Sequence, residues 1–586
     1  MHWLRGLLSS FPCFATLTIL AVITSVVPLD AQDGSAAMRG VVEDISGARI
    51  PAALVIVSSP ETGFQRAVFT DSQGNFTFDM LTPGQYDVKA VAVSMQPANE
   101  ASVQLHVGAS TQLRFQLAPA TRIETVNVVA PPVQVQTQTG EVSNGIVERA
   151  ILELPLNGRR FTDLALLTPG VTQDPRGLTS GSNGDLSFGG VRGYQNNFLV
   201  DGTDNNNSFY AQARGRYRAP YQFSNEVIKE FRVSSNSYSA ELGRAGGGVF
   251  NVVTKSGSND WHGTGFLYMR DRIFDAQPAF SPDKPDARQD QFGGTLSGPI
   301  RKNRAFFYAG YDQNLLNVPS IVQFANGASK VVPQPVDYDY KDQALVEQAA
   351  QKLNSMAGEY PTKMSGNAAF GKLDFTPSSK QLIFLRVSTS RYSGINNVFF
   401  NPSSPLTTYT ESANGSEDVA TESIAASLTS QWTNNFATHL RAQFSRDLQQ
   451  SSTNSEDPKV KIYNLLDGIG RSNLLPRETR EHKLHVADTA DIEHGRVSWK
   501  FGIDYIHAWI YNYFPSMGGG EFYFDNVKVN PFTFAPMRYG EPLTPYAPMR
   551  MTCLAITFRI SARQHRILTR RPWHSFCRTA FALLVT

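Results

Sequence analysis

What most constrains this chain is an alternation. Beyond Asp260, segments of about ten residues repeatedly place apolar and polar side chains on opposite sides, with a period of two. In Ile424 to Trp432 one side carries Ile424, Ala426, Leu428 and Trp432, and the other Ala425, Ser427, Thr429 and Gln431. Thr438 to Ser445 sets Leu440, Ala442 and Phe444 against His439, Arg441, Gln443 and Ser445. Val497 to Tyr505 sets Val497, Trp499, Phe501, Ile503 and Tyr505 against Ser498, Lys500, Gly502 and Asp504. Such segments are strands, and two architectures use them. A water-soluble sandwich turns the apolar side to a core; a membrane barrel turns it to lipid and lines its lumen with the polar side. After residue 30 no run of eighteen apolar residues occurs, so any crossing of a bilayer is made by strands.

A second stretch marks where this region begins. In VIKEFRVSSNSYSAELGRAGGGVFNVVTKSGSNDWHGTGFLYMRD, Val227 to Asp271, short strands (Glu230 to Val233 and Val249 to Thr254) flank the triplet Gly246, Gly247 and Gly248. The missing Cβ atoms there allow either positive φ or close backbone approach. A turn from Lys255 to Asp260 follows, and then the first alternating strand. Ile228 to Gly257 resembles the closing segment of the plug in TonB-dependent outer-membrane receptors, and more narrowly in their Oar-like group. The match rests on Ile228, Glu230, Phe231, Val233, Tyr238 to Glu241, Gly243, Arg244, Gly247 to Val249 and Asn251 to Gly257. Ser234-Ser235-Asn236 stands near the place of the Arg-Gly-Pro of siderophore receptors, which argues against a siderophore as cargo.

The resemblance implies a plug at 140–258, followed by a barrel at 259–550. Asn157, Gly158 and Arg159 belong to its opening segment, where Phe161 to Leu167 reads as a short amphipathic helix stopped by Pro169-Gly170. Phe188 to Asn206 adds Arg192, Gly193, the buried-strand run Phe198 to Val200, and a turn at Asp201-Gly202. Asp201, Asp204 and Asn205 lack the spacing of a calcium loop and are read as turn residues. With Glu230, Glu241, Gly243, Arg244, Gly247, Gly248 and Lys255, these form the plug motif. Polar stretches at Ala325 to Pro361 and Asn396 to Glu422 read as extracellular loops.

The N-terminus has the pattern of a secretory signal over 1–31, with Arg5, an apolar run from Phe11 to Val27, and Leu29-Asp30-Ala31 before Gln32. From Met38 to Leu117 seven strands recur at the spacing of a small β-sandwich. The runs GVVEDISGARIPAALVIV, TDSQGNFTF and LTPGQYDV resemble a carboxypeptidase regulatory-like domain, which implies a transthyretin-like sandwich at 36–119 that either binds sugar or serves as a spacer or docking module. The segment 120–139 carries the β-branched run Glu124, Thr125, Val126, Asn127 and Val128, closed by Pro131-Pro132. It is either a TonB box, adding a strand to a partner's sheet, or a last strand of the sandwich.

The whole chain is therefore expected to be mainly β: a small sandwich, an α+β plug and an antiparallel transmembrane barrel that is incomplete. The barrel of the resembled family has about 22 strands, whereas about ten fit between Asp260 and Arg550. From Met551 to Thr586 there is no Asp, Glu, Lys or Gly, while six arginines crowd in. That break is expected to mark a frameshift near residue 550 or a basic interaction tail at 551–586, and with the frameshift the chain would not transport.

A net charge of +2 gives no reason to expect nucleic acid. The three cysteines, Cys13, Cys553 and Cys577, make neither a disulfide scaffold nor a C-x-x-C metal site. No G-x-S-x-G, H-E-x-x-H or P-loop occurs, so no catalytic residue, metal or cofactor is expected. The expected partners are a TonB-like energy-coupling protein in the periplasm, outer-membrane lipid and an unidentified extracellular ligand, at the outer membrane of a Gram-negative bacterium. An adhesion or signalling protein on the same barrel is the alternative.

Overall fold

The computed structural model describes residues 35–120, 141–156, 159, 161–173, 186–214, 223–277, 284–325, 330, 343–399, 405–433, 435–463, 465–494, 497–516, 518–524 and 584–585. The signal segment, the box-like run Glu124 to Val128, Asn157, Gly158 and most of the basic tail lie outside the described residues.

The seven expected strands of the sandwich are present, with ends moved by up to three residues: β1 (Ala36–Asp44), β2 (Leu54–Ser58), β3 (Gln65–Phe69), β4 (Asn75–Leu81), β5 (Gly84–Val91), β6 (Ala98–Leu105) and β7 (Ser110–Leu117). They form sheets of order β4-β1-β7 and β3-β2-β5-β6. Met38, Val55, Phe78, Leu105 and Leu117 fill the space between them. Alternation in each strand puts these residues on one face, and burying each contributes about 1.5–3 kcal/mol.

The plug has a sheet of β8 (Val142–Val147), β9 (Asn197–Val200), β10 (Ile228–Asn236) and β11 (Val249–Thr254), with the two-residue strand Thr203–Asp204 at one edge. Its order is Thr203–Asp204, β9, β11, β10, β8. Phe231 and Phe198 both stack on Phe250, at 5.0 and 5.6 Å, and Phe161 meets Phe231 edge-on. The helix expected at Phe161–Leu167 is present as a 3-10 helix. Asp201 and Gly202 have φ of +47° and +72° between the paired residues Val200 and Thr203, the two-residue hairpin turn that an Asp-Gly pair favours. Of the two explanations for the glycine triplet, close approach is the one found. A Cβ on Gly248 would strike the Phe188 ring, and one on Gly247 the Asn196 side chain, while none of the three has positive φ.

Nine long strands follow: β12 (His262–Asp271), β13 (Arg288–Arg301), β14 (Ala305–Asn317), β15 (Lys363–Ser378), β16 (Gln381–Ile395), β17 (Glu417–Thr433), β18 (Phe436–Ser451), β19 (Arg477–His494) and β20 (Val497–Tyr513). Each is antiparallel to the next. Among the described residues β12 and β20 do not pair with each other, so the sheet they bound is open there. Leu584–Val585 pairs with Phe501 and Gly502 on the β20 edge.

Several strands outrun the sequence reading, because their ends leave the apolar band and lose its alternation. The stretch expected as a loop from Asn396 to Glu422 is already strand from Glu417. The loop from Ala325 to Pro361 contains helix α1 (Gln343–Asn354) and the short strand Gly358–Tyr360. There Leu353 and Tyr360 join Val322, Phe324, Leu465 and Leu466 in a separate apolar cluster at the long-loop end.

Candidate functional site at the plug and barrel interface

The wall is inside out relative to a soluble sheet. On β17 and β18, Ile424, Trp432 and Phe444 are 47, 56 and 45% exposed, whereas Ser427, His439 and Gln443 are 6, 7 and 3% exposed. Across the strands the register lines up Val387, Ile424, Phe444 and Leu484 in one outward row, and Ile383, Leu428 and Leu440 in another. Charged and hydroxyl side chains fill the inward positions between them and face the plug.

Two plug aspartates meet this polar lining. Asp201 Oδ2 accepts from Arg386 Nη1 at 2.7 Å and from Thr254 Oγ1 at 2.8 Å, its Oδ1 accepts from the Thr254 amide at 2.9 Å, and Lys372 Nζ lies 3.9 Å away. Burial alone pushes the Asp201 carboxyl up, but Lys372, Arg386 and the Thr254 hydrogen bonds outweigh it and hold the group below the usual carboxylate range. Asp204 is bound by Lys483 and Arg244, each at 2.5 Å, and its amide donates to His485 Nδ1 at 3.1 Å. Burial again pushes upward and is outweighed, here chiefly by Lys483 and Arg244, so this carboxyl is also held low. Arg441 and Gln443 donate to the carbonyls of Gly202 and Asp204. Further along, Asn207 donates to Asp447, Ser208 to Glu481, and Arg214 to the carbonyls of Glu422 and Arg446.

Asp204 thus extends the sequence reading. It makes the Asx-turn bond, its Oδ1 accepting from the Asn206 amide at 3.1 Å, but it is also an ion-paired strand residue, whereas Asp201 sits in the hairpin turn and pins it to the wall. Of the other motif residues, Arg244 and Gly202 join this network, and Glu241 reaches Lys500 on β20 at 3.0 Å. Arg159 pairs with Glu226 at 3.1 Å and lies 3.9 Å over the Tyr268 ring. Lys255 pairs with Glu148 at 2.7 Å. Gly243 accepts from the Asn197 side chain at 2.8 Å. Arg192 is exposed beside the buried Gly193, and Glu230 turns toward the sandwich instead. The wall residues Arg386, Lys372, Lys483 and Glu481 were missed. Their signal was available, as charges at inward positions of otherwise apolar-out strands, where burial demands a partner.

A family model for an outer membrane beta barrel domain matches residues 253–326 and 317–547, together half of the chain. The chain belongs to that family. A second family model, for a carboxypeptidase regulatory-like domain, matches residues 37–118, and both sequence resemblances therefore stand. This barrel protein is also similar to the protein described as TonB-dependent transporter Oar from Myxococcus xanthus, 29% identical over 281 residues, 45% of this chain and 25% of that protein. The match thus spans about a quarter of that relative's length. Among solved structures it is similar to the outer membrane transporter YddB from Escherichia coli (14% identity, TM-score 0.46, 68% of this chain and 52% of that one). The siderophore receptor PirA from Acinetobacter baumannii is another (15% identity, TM-score 0.43, 63% and 48%). The apolar-out barrel belongs in the outer membrane of a Gram-negative bacterium.

Proposed function

We propose that the chain is the plug and part of the wall of a TonB-dependent receptor that takes up an extracellular ligand. The observation that carries this is a separately folded plug held against the polar side of an apolar-out wall through Asp201 and Asp204. Hydrogen bonds and ion pairs of this kind fix a plug at rest and can be exchanged for water when it moves, which a continuous apolar interface would resist.

In this reading a TonB-like protein in the periplasm adds a strand to Glu124, Thr125, Val126, Asn127 and Val128, and pulls. The plug motif residues transmit or hold the load: Asn157, Gly158, Arg159, Arg192, Gly193, Asp201, Gly202, Glu230, Glu241, Gly243, Arg244, Gly247, Gly248 and Lys255. An oligosaccharide or a peptide is the proposed cargo, met first by the long loops. Passage of a solute needs a closed wall, because an open edge leaves unpaired backbone groups in lipid at several kcal/mol each. Uptake of labelled oligosaccharides and peptides by the receptor with a closed barrel is the test. It should require the energy-coupling protein and be lost on deletion of Glu124 to Val129; uptake that survives the deletion removes the box from the mechanism.

A further inference from the structure

The sandwich is not a bead on a string. His106 Nδ1 lies 2.9 Å from Glu230 Oε2, and the Val107 amide donates to Glu230 Oε1 at 2.5 Å, so both oxygens of this buried plug carboxylate are taken by one sandwich loop. Two residues along β10, Arg232 donates to the Val107 carbonyl at 3.1 Å and pairs with Glu141 at 3.2 Å. Lys229 donates to the Pro83 carbonyl at 2.8 Å. The same domain also grips the short-turn rim of the wall. Arg66 donates to Gln431 at 3.3 Å, the Asn259 amide donates to the Glu61 carbonyl at 2.8 Å, and Leu382 packs on the sandwich core.

We propose that the sandwich is a clamp that fastens the plug to the periplasmic rim of the barrel and must let go before the plug can move. The geometry supports a clamp over a spacer because its attachments converge on β10, the strand lying between β8 and β11 in the plug sheet. One of them, Arg232, also pairs within the plug with Glu141, the first described plug residue after the sandwich, so a load applied between the two domains acts beside the joint. The clamp's use in transport rests on the receptor reading above, but its existence does not.

Amide hydrogen exchange on the full chain tests it without ligand or energy source. Changing His106→Ala removes a half-exposed sandwich residue and leaves the plug sequence intact. A clamp predicts at least tenfold faster exchange along Ile228–Asn236, with β2, β5 and β17 to β19 unchanged. A second pair, Gly63→Cys with Asn303→Cys, staples sandwich to rim: a Cβ on Gly63 would lie 3.1 Å from that of Asn303, a few tenths of an ångström inside the span of a disulfide, so the two turns must part slightly to admit it. Oxidising the staple in the His106→Ala chain should restore slow exchange, and reduction should abolish it again. Unchanged exchange in His106→Ala overturns the clamp, as does a staple that forms without restoring protection. Absence of energy-dependent uptake in the parent receptor, with the exchange pattern as expected, would count against the receptor reading alone.

Discussion

Replacing Asp201 with asparagine keeps the size of the side chain and removes its charge. Arg386, only 2% exposed, would then lose its ion-pair partner and stand in the field of Lys372, and Thr254 would lose an acceptor at its amide or its hydroxyl. Breaking one partner of a buried ion pair costs about 3–5 kcal/mol, which lowers the opening equilibrium constant's protection by a factor of about 150 to 5,000. The assay is amide exchange of Val249–Thr254 in the purified chain, read against β17 and β18 as internal references. Because the Asp201 carboxyl titrates below its unfolded value of about 3.9, its contribution is complete above that value. It is lost as the pH falls through the lower, folded value. The part of the protection that depends on Asp201, read as the difference between the parent chain and Asp201→Asn, should therefore be complete above about pH 5 and fall only in stronger acid. Pairing Asp201→Asn with Arg386→Met should recover part of the loss, since the orphaned cation is gone. A change below about threefold for Asp201→Asn would show that water reaches the pair and that the plug is held by something else.

Three further outcomes follow from the same geometry. Leu440→Arg, in the outward band, should destabilise the chain in lipid by about 2–4 kcal/mol, while the inward Ser427→Ala should cost less than about 1 kcal/mol; urea titrations in liposomes compare them. Gly248→Ala should cost about 1–3 kcal/mol, because the new methyl meets the Phe188 ring, and the loss should show as a lower melting temperature of the plug. Residues 32–120 expressed alone should give a β-rich circular dichroism spectrum and one cooperative melt, since the sandwich core closes on itself; a disordered spectrum would refute this.

The sequence disclosed architecture more readily than attachment. Val249–Thr254 was legible to the residue because a β-branched run between glycines and a Lys-Ser-Gly turn leaves little choice. The alternating cores of β17 and β18 were legible for the same reason. Their outer thirds were not, because beyond the lipid the pressure for apolar alternation disappears while the backbone ladder continues. Helix α1 was hidden in a polar loop; among its described side chains Ala350 and Leu353 are buried, too few apolar positions to mark a helical face in the sequence. Asp204 was read only for its turn bond, because Asp and Asn favour turns and its ion-pair partner Lys483 is 279 residues away. Glu230 was singled out by motif alone, and nothing local in its sequence reveals that a loop of the sandwich occupies both of its oxygens.

The length of the wall strands sets the height at which the outside world is met. Strands β17 and β19 run 17 and 18 residues. At ~3.4 Å per residue and a tilt of ~40° they stand ~45 Å tall, against an apolar band of ~25 Å. The surplus makes a collar of roughly 20 Å that lifts the loops, with the small apolar cluster around Leu353 and Tyr360, out of the headgroups and into the layer of surface sugars. Large bodies that never approach the lipid, such as an antibody or a protease, should therefore still find the upper rim of this protein within reach.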